Sequence, residues 1–438
     1  MVSAAFGQAG FSFDAAQREF PIEMFLPGSD LTPLEENIEK IVDGLTRWSA
    51  APQKVTRTSD KLEIEAEDYP QAAARMNSLF LRNKWGDGLP LVPPTEDNVR
   101  WILTGTDLAP GTLLGKMPPS GRLVTVEAAA IALAMTGGRP EYMPVLIAAE
   151  QGLTDPLLRP EMTQTTTCSV FIGVVVSGPV AKQIRLNSGY GCLGPDPSHP
   201  AGASIGRAMR LMQQDVGGAV PGSGTMATFG GPARYANVVF AEDEDGLPAD
   251  WEPLSVERGF RAGSNIATVH ALASATNIST TQASTEDVAL QTLDKFVRIM
   301  GADYGNVFTH YSEKSVPGIA LVPREIARGL SANGWSKGKV KAYLWENTKV
   351  PLAAVKSDTL LYRRASDTMK AFAGPDGAWP LAAGPDNMML VVAGGEQSGH
   401  CYWMRVGCCP IAPVSKRIAL PANWAQLLDK AEEDLGAH

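Results

Sequence analysis

The clearest chemical candidate in this chain is Cys168, within Thr165-Thr-Thr-Cys-Ser169, among hydroxyl groups and just ahead of an apolar run. A thiolate there can act as a nucleophile or soft metal ligand where a cation or dipole lowers its pKa; the alternative is a buried, inert thiol. Cys192, in Ser188-Gly-Tyr-Gly-Cys-Leu-Gly-Pro195, lies in a loop able to approach a ligand. Cys408 and Cys409 are adjacent, with Cys401 upstream, a spacing that suits neither a relaxed disulfide nor a zinc site.

Of the five histidines, His400 and His310 stand where apolar runs meet loops. His400 ends Val391-Val-Ala-Gly-Gly-Glu-Gln-Ser-Gly-His400, a strand opening into glycines. Open α/β folds keep ligands at the carboxyl ends of strands, where backbone can come close. His270 falls inside an apolar run and reads as a core histidine, and His199 reads as a turn residue. The cluster Glu242-Asp-Glu-Asp245 follows another apolar run. Four successive carboxylates cannot all be buried, so most are expected in solvent, with Glu242 able to point into a pocket. The neighbours Glu257 and Arg258 read as an ion pair. Two candidate sites result: Cys168 with His310, where imidazolium would stabilise a thiolate, and Glu242 with His400.

Several signatures are missing. The chain has no P-loop, no dinucleotide fingerprint, no GxSxG, no HExxH and no spaced CxxC pairs. Gly217-Gly-Ala-Val-Pro-Gly-Ser-Gly-Thr225 is glycine-rich without the P-loop lysine, and reads as a loop with no phosphate role. The cofactor stays unknown, and a metal ion is compatible with these residues.

The elements that must position these groups alternate between helix and strand. Thr125-Val-Glu-Ala-Ala-Ala-Ile-Ala-Leu-Ala-Met135 predicts a helix stopped by Gly137-Gly138, and further helices are expected near 95, over 140–152, 204–215, 284–300, 324–332 and 336–347. Apolar runs at 170–176, 236–240, 266–271, 318–322 and 388–393 predict strands. The expected fold is α/β, two segments (76–285 and 286–438) with mixed or parallel sheets, behind an N-terminal helical arm over 1–75. The arm carries an amphipathic helix over 31–44 and an alternating stretch over 61–68 that suggests an edge strand. Residues 174–187 and 319–333 both read as strand, Pro turn, then a helix with Ala-basic-x-aliphatic, which suggests an internal duplication.

Composition narrows the class. Charged residues are 19% of the 438, low for a soluble domain, which implies a large core. The formal charge of −9 and the absence of a basic cluster argue against nucleic acid. No apolar run approaches the roughly 20 residues needed to span a bilayer, and five cysteines do not suggest a disulfide framework. A cytoplasmic protein is expected, as a homo-oligomer whose arm contributes to the contact.

Several stretches carry a family resemblance: Gly86-Asp-Gly-Leu-Pro-Leu-Val-Pro-Pro-Thr95, Thr125-Val-Glu127, Gly138-Arg-Pro-Glu-Tyr-Met-Pro-Val145, Trp251-Glu-Pro-Leu254, Glu257-Arg-Gly-Phe260 and Asn333-Gly-Trp-Ser-Lys337. From about residue 80 onward the chain resembles an uncharacterised bacterial family, often encoded beside or fused to small proteins with a selenocysteine-or-cysteine–Gly–Ser–Cys motif. The resemblance implies a cytoplasmic enzyme and a small thiol or selenol partner protein. Members often carry Cys where this chain has Gly138, and Gly-Lys-His where it has Ser398-Gly-His400. The expected function is an enzyme acting on a small polar molecule in an inter-segment cleft. Its chemistry would be of hydrolase or lyase type, with a thiolate or metal-assisted nucleophile. The alternative is a non-catalytic subunit that binds the thiol partner.

Overall fold

A computed structural model describes residues 28, 30–47, 61–231, 233–234, 236–302, 314–350, 378–397, 399–407 and 411–437. These fall into two units, one of residues 1–63 with 120–122 and one of 64–119 with 123–438. In the first, α1 (Thr32–Glu35) and α2 (Ile38–Thr46) divide the expected helix. The stretch over 61–66 forms no strand, and its alternation sets acidic residues against single aliphatics.

The larger unit is built on one seven-stranded mixed sheet, β3 (Phe171–Ser177), β4 (Val238–Ala241), β5 (Ile266–Ser279), β6 (Gly318–Val322), β7 (Met389–Val392), β8 (His400–Val406) and β9 (Val414–Arg417). A separate two-stranded sheet, β1 (Leu113–Met117) and β2 (Arg122–Thr125), precedes it. The strand order is β4-β3-β5-β8-β6-β7, with β9 beside β5. β3 and β4 run parallel, as do β6 and β7, while β5 is antiparallel to β3 and β8, and β8 to β6. Exchanging β3 with β6, β4 with β7 and β5 with β8 leaves the six-strand path and the sense of its pairings unchanged, with β9 outside the symmetry. Even the strand ends correspond: Glu242 N donates to Val176 O, and Ala393 N to Val322 O, both at 3.0 Å. This pseudo-two-fold supports the repeat read from 174–187 and 319–333. The boundary near 285 thus separates the strands of one sheet.

Strand residues alternate between two buried faces, the period-two consequence of the pleat. Phe171 and Val175, Val238 and Phe240, Ile319 and Leu321, Met389 and Val391 share one core, common to both halves. Their alternates divide. Ile172, Val174 and Val239 pack under α4 (Glu96–Leu103), α5 (Val126–Met135), α6 (Met143–Leu153), α7 (Pro160–Thr165) and α9 (Ala201–Leu211), with α8 (Val180–Gln183) closing the same side. Ala320, Val322 and Leu390 pack under α11 (Glu286–Ala302), α12 (Arg324–Ala332) and α13 (Lys337–Asn347). The sheet curls far enough for its two edges to meet: Asp243 N, just past β4, donates to Val392 O of β7 at 2.8 Å. Arg324 then grips the Asp243 carboxylate with Nε and Nη2, each at 2.8 Å. Helices α3 (Tyr69–Asn83), α10 (Leu254–Glu257) and α14 (Trp424–Leu435) complete the unit.

Candidate functional site

The two expected pairs, Cys168 with His310 and Glu242 with His400, are described only in part. His310, Cys408 and Cys409 lie outside the described residues. Cys168 is half-buried beside the first core. His400 opens β8 with an exposed side chain, and no group bound to Glu242 is a histidine. Cys192 packs inside the shared core, where burial pushes its thiol up to about 12, so the loop reading gives way to an inert packing residue. Cys401 is buried likewise, with its thiol also at about 12.

The acidic cluster departs from expectation as well, since both Glu242 and Asp243 are buried. The cause is compensation: Asp243 has Arg324, and Glu242 accepts from Ser177 Oγ at 2.9 Å and from Leu254 N at 3.0 and 2.9 Å. Desolvation still dominates at Glu242 and raises its pKa to about 7, with Lys337 pulling the other way. By holding the Leu254 amide, this carboxylate anchors the start of α10, the short helix that carries Glu257.

Glu257 and Arg258 do not pair with each other. Arg258 turns to Pro413 O at 2.8 Å, while Glu257 reaches two lysines of α13. That helix begins at Ser336, whose side chain accepts from Lys339 N, and it places Lys337, Val340, Lys341 and Leu344 on one stripe. Such a stripe faces the interior, so both lysines are carried inward, to 3% and 8% exposure. Lys337 Nζ lies 3.2 Å from Glu257 Oε2 and donates to Glu252 O at 2.7 Å; Lys341 Nζ lies 3.3 Å from Glu257 Oε1.

This group forms part of the wall of a cavity of about 630 Å³, lined from one half by Glu252, Leu254, Glu257 and Arg258, and from the other by Lys337, Lys341 and Asn387. Three stretches that carry the family resemblance meet here: Trp251-Glu-Pro-Leu254, Glu257-Arg-Gly-Phe260 and Asn333-Gly-Trp-Ser-Lys337. Trp251 Nε1 ties the first to the third by donating to Trp335 O at 3.1 Å. His270 sits behind the wall, its Nε2 bonded to the Val316 carbonyl; burial lowers its pKa to about 4 and keeps the ring neutral. It is a core histidine, as its apolar strand suggested.

The trio Lys337, Glu257 and Lys341 carries one excess positive charge, in a cavity that Arg258 and the carboxylates of Asp250, Glu252 and Asp386 also line. Taking such ions from water costs several kcal/mol each, and a hydrophobic replacement is often as stable. A fold that needed only packing here has no physical reason to keep them. A second, more open groove over 182–199 holds the pair His199 and Asp196, but its loop residues lack comparable burial. Sequence reasoning missed both lysines, although the signal was present: basic residues at the core-facing positions of a helical stripe.

Among the described residues no group of three or more His, Cys, Asp or Glu could hold a metal ion, and no helix is long and apolar enough to cross a membrane. Comparison with protein-family models, curated proteins and solved structures finds no match.

Proposed function

We propose that the chain is an enzyme that binds a small polar molecule, anionic at one end, in the cleft between its two halves, and carries out proton-transfer chemistry of hydrolase or lyase type. The observation that carries this reading is the buried Lys337–Glu257–Lys341 group on the wall of an accessible cavity. One ammonium attracts the anionic group of the ligand, and the Lys–Glu pair beside it can pass a proton. Cys168 has no part in this cleft, since it is absent from the lining. A reduced, cytoplasmic setting belongs to the same reading, and Cys168, Cys192 and Cys401 form no disulfide.

The test is a thermal-shift screen of the full chain against small carboxylic and phosphoric acids, repeated with Lys337→Met and Lys341→Met. A ligand that stabilises the natural protein and neither variant supports the cleft. Stabilisation that survives both substitutions, or none across the screen, counts against it.

A second reading, a non-catalytic subunit that self-associates or docks a small thiol or selenol protein, is favoured by the arm. Ile38, Val42 and Leu45 of α2 are 55%, 50% and 81% exposed, an apolar face that no described residue of its unit covers. Sedimentation of Val42→Ser/Leu45→Ser beside the natural chain tests this: a fall in mass supports association through the arm, and an unchanged monomer removes it.

A further inference from the structure

A different polar cluster lies on the helical side of the first half, and none of its members lines the cleft. Arg210, in α9, and Arg234, ahead of β4, are 4% and 6% exposed, and neither hydrogen-bonds a carboxylate. Arg210 Nη2 donates to Gln214 Oε1 and Ala219 O, both at 3.2 Å. Arg234 Nη2 donates to Thr225 Oγ1 at 2.7 Å and to Gln164 O at 3.4 Å. The Nη1 atom of each arginine is buried without a partner, and so is Gln164 Nε2.

The orientation of Gln164 is set by a relay that starts at the backbone. Ile172 N can only donate, and it donates to Asn237 Oδ1 at 2.9 Å. Asn237 Nδ2 therefore donates to Gln213 Oε1 at 3.0 Å, and Gln213 Nε2 to Gln164 Oε1 at 3.1 Å. What remains over is Gln164 Nε2, a donor. Three unsatisfied groups are thus all donors, and a hydrogen bond left unmade on a buried group is costly. A cluster whose leftover groups are all donors suits an anion, and a guanidinium matches the planar fork of a carboxylate.

The glycine-rich segment brings these groups together. Ala219 and Thr225 face each other across its pinch, where Thr225 N donates to Val220 O and a Cβ on Gly224 would lie 1.7 Å from Gly218 O. Each arginine holds one side of that pinch. The two cations also feel each other: burial first, then Arg234, lowers the Arg210 pKa to about 10, with Asp87 and Asp215 opposing. Asp87 is itself engaged by Arg207, and Asp215 accepts from Gly86 N. The segment continues alongside Cys168, with Thr228 N donating to Thr167 O at 3.1 Å, and Cys168 is the group that favours the charge of Arg234.

We infer that Arg210, Arg234 and Gln164 form a binding site for a carboxylate group, placed so that a small carboxylic acid held there presents its chain to the Cys168 sulfur. The cations lacking from the glycine-rich loop in sequence come from the elements on either side of it.

Alkylation of the full chain tests this, read at Cys168 by peptide mass spectrometry. Simple thiols react faster with iodoacetamide than with iodoacetate, because the carboxylate repels the thiolate. At Cys168 the order should reverse, with a rate ratio shifted about tenfold toward iodoacetate, the equivalent of one good charge-assisted contact. Arg234→Gln should restore the ordinary order. Sodium acetate should slow iodoacetamide at Cys168 in the natural protein, where equal sodium chloride does not, a result that does not depend on the variant folding. An ordinary rate order at Cys168, no alkylation there, or no protection by acetate would each overturn the site.

Discussion

Lys337 with Lys341 and Arg210 with Arg234 are both pairs of buried cations, yet the structure treats them differently. The lysines share the Glu257 carboxylate and line an open cavity, so their charge is mostly answered within the protein. The arginines are held by carbonyl, amide and hydroxyl oxygens, and each keeps an unused Nη1. Neutral acceptors satisfy hydrogen bonds without cancelling charge. The difference teaches that hydrogen bonding and charge compensation are separate conditions, and a buried cation bonded only to neutral acceptors, with a donor left over, stays poised for an anion.

The largest effect that would test this contrast is at Glu257. Glu257→Ala leaves two ammonium groups facing each other on a buried wall and should lower unfolding free energy by about 3 kcal/mol, measured by urea denaturation. Adding Lys337→Met and Lys341→Met should recover most of the loss. A cost below about 1 kcal/mol would show that the lysines are answered by solvent, and the contrast would fail.

Next comes the pH dependence contributed by Glu242, the carboxylate that Lys337 influences. Its folded pKa of about 7 lies above the ordinary glutamate value of 4.5, so between these the folded chain binds more protons than the unfolded one. Its contribution is full below 4.5 and is lost as pH rises through about 7. Glu242→Gln should flatten that part of the stability profile, read from denaturation midpoints between pH 4.5 and 8; an unaltered slope would remove Glu242 as its source.

Removing an arginine should cost less than removing Glu257. Arg234→Met strands the Thr225 hydroxyl and the Gln164 carbonyl but also removes an uncompensated charge, for a net loss of about 1 kcal/mol in urea. A loss as large as that of Glu257→Ala would mean that Arg234 is a structural ion rather than a vacant one. The smallest change belongs to the loop between the glycine-rich segment and Arg234, where Phe229 is 94% exposed. Phe229→Ser should alter stability by less than about 0.5 kcal/mol. A larger value would mean that this loop is part of the core.

Much of the local structure was legible because caps and periods are local energies. Thr95, Thr125 and Ser336 each accept the backbone N–H three residues on, where a helix start was expected. The strand runs at 170–176, 318–322 and 388–393 appear within two residues of their expected places. Less legible were β8 and β9. Cys401-Tyr-Trp-Met-Arg-Val406 alternates weakly, and it becomes a strand because β5 and β6 stand on either side to satisfy its backbone. The alternation over 61–66 was as good in sequence, but among the described residues no strand pairs with it. Pairing, not pattern, separated the two.

The sequence by itself determined the α/β alternation, the caps, the inward stripe of α13 and the likeness in pattern of the two βα units, since each rests on residues a few positions apart. The tertiary structure decided which of those residues meet. Lys341 finds Glu257 from 84 positions away, and Arg234 finds Gln164 from 70, because strand order and the curl of one sheet bring them together. Cys168 is the instructive case: its hydroxyl-rich neighbours could be read directly, but the cation whose charge it favours, Arg234, arrives from the far side of the glycine-rich loop. Long-range contacts follow from sheet register and shared burial, and neither is written in the spacing of any one segment.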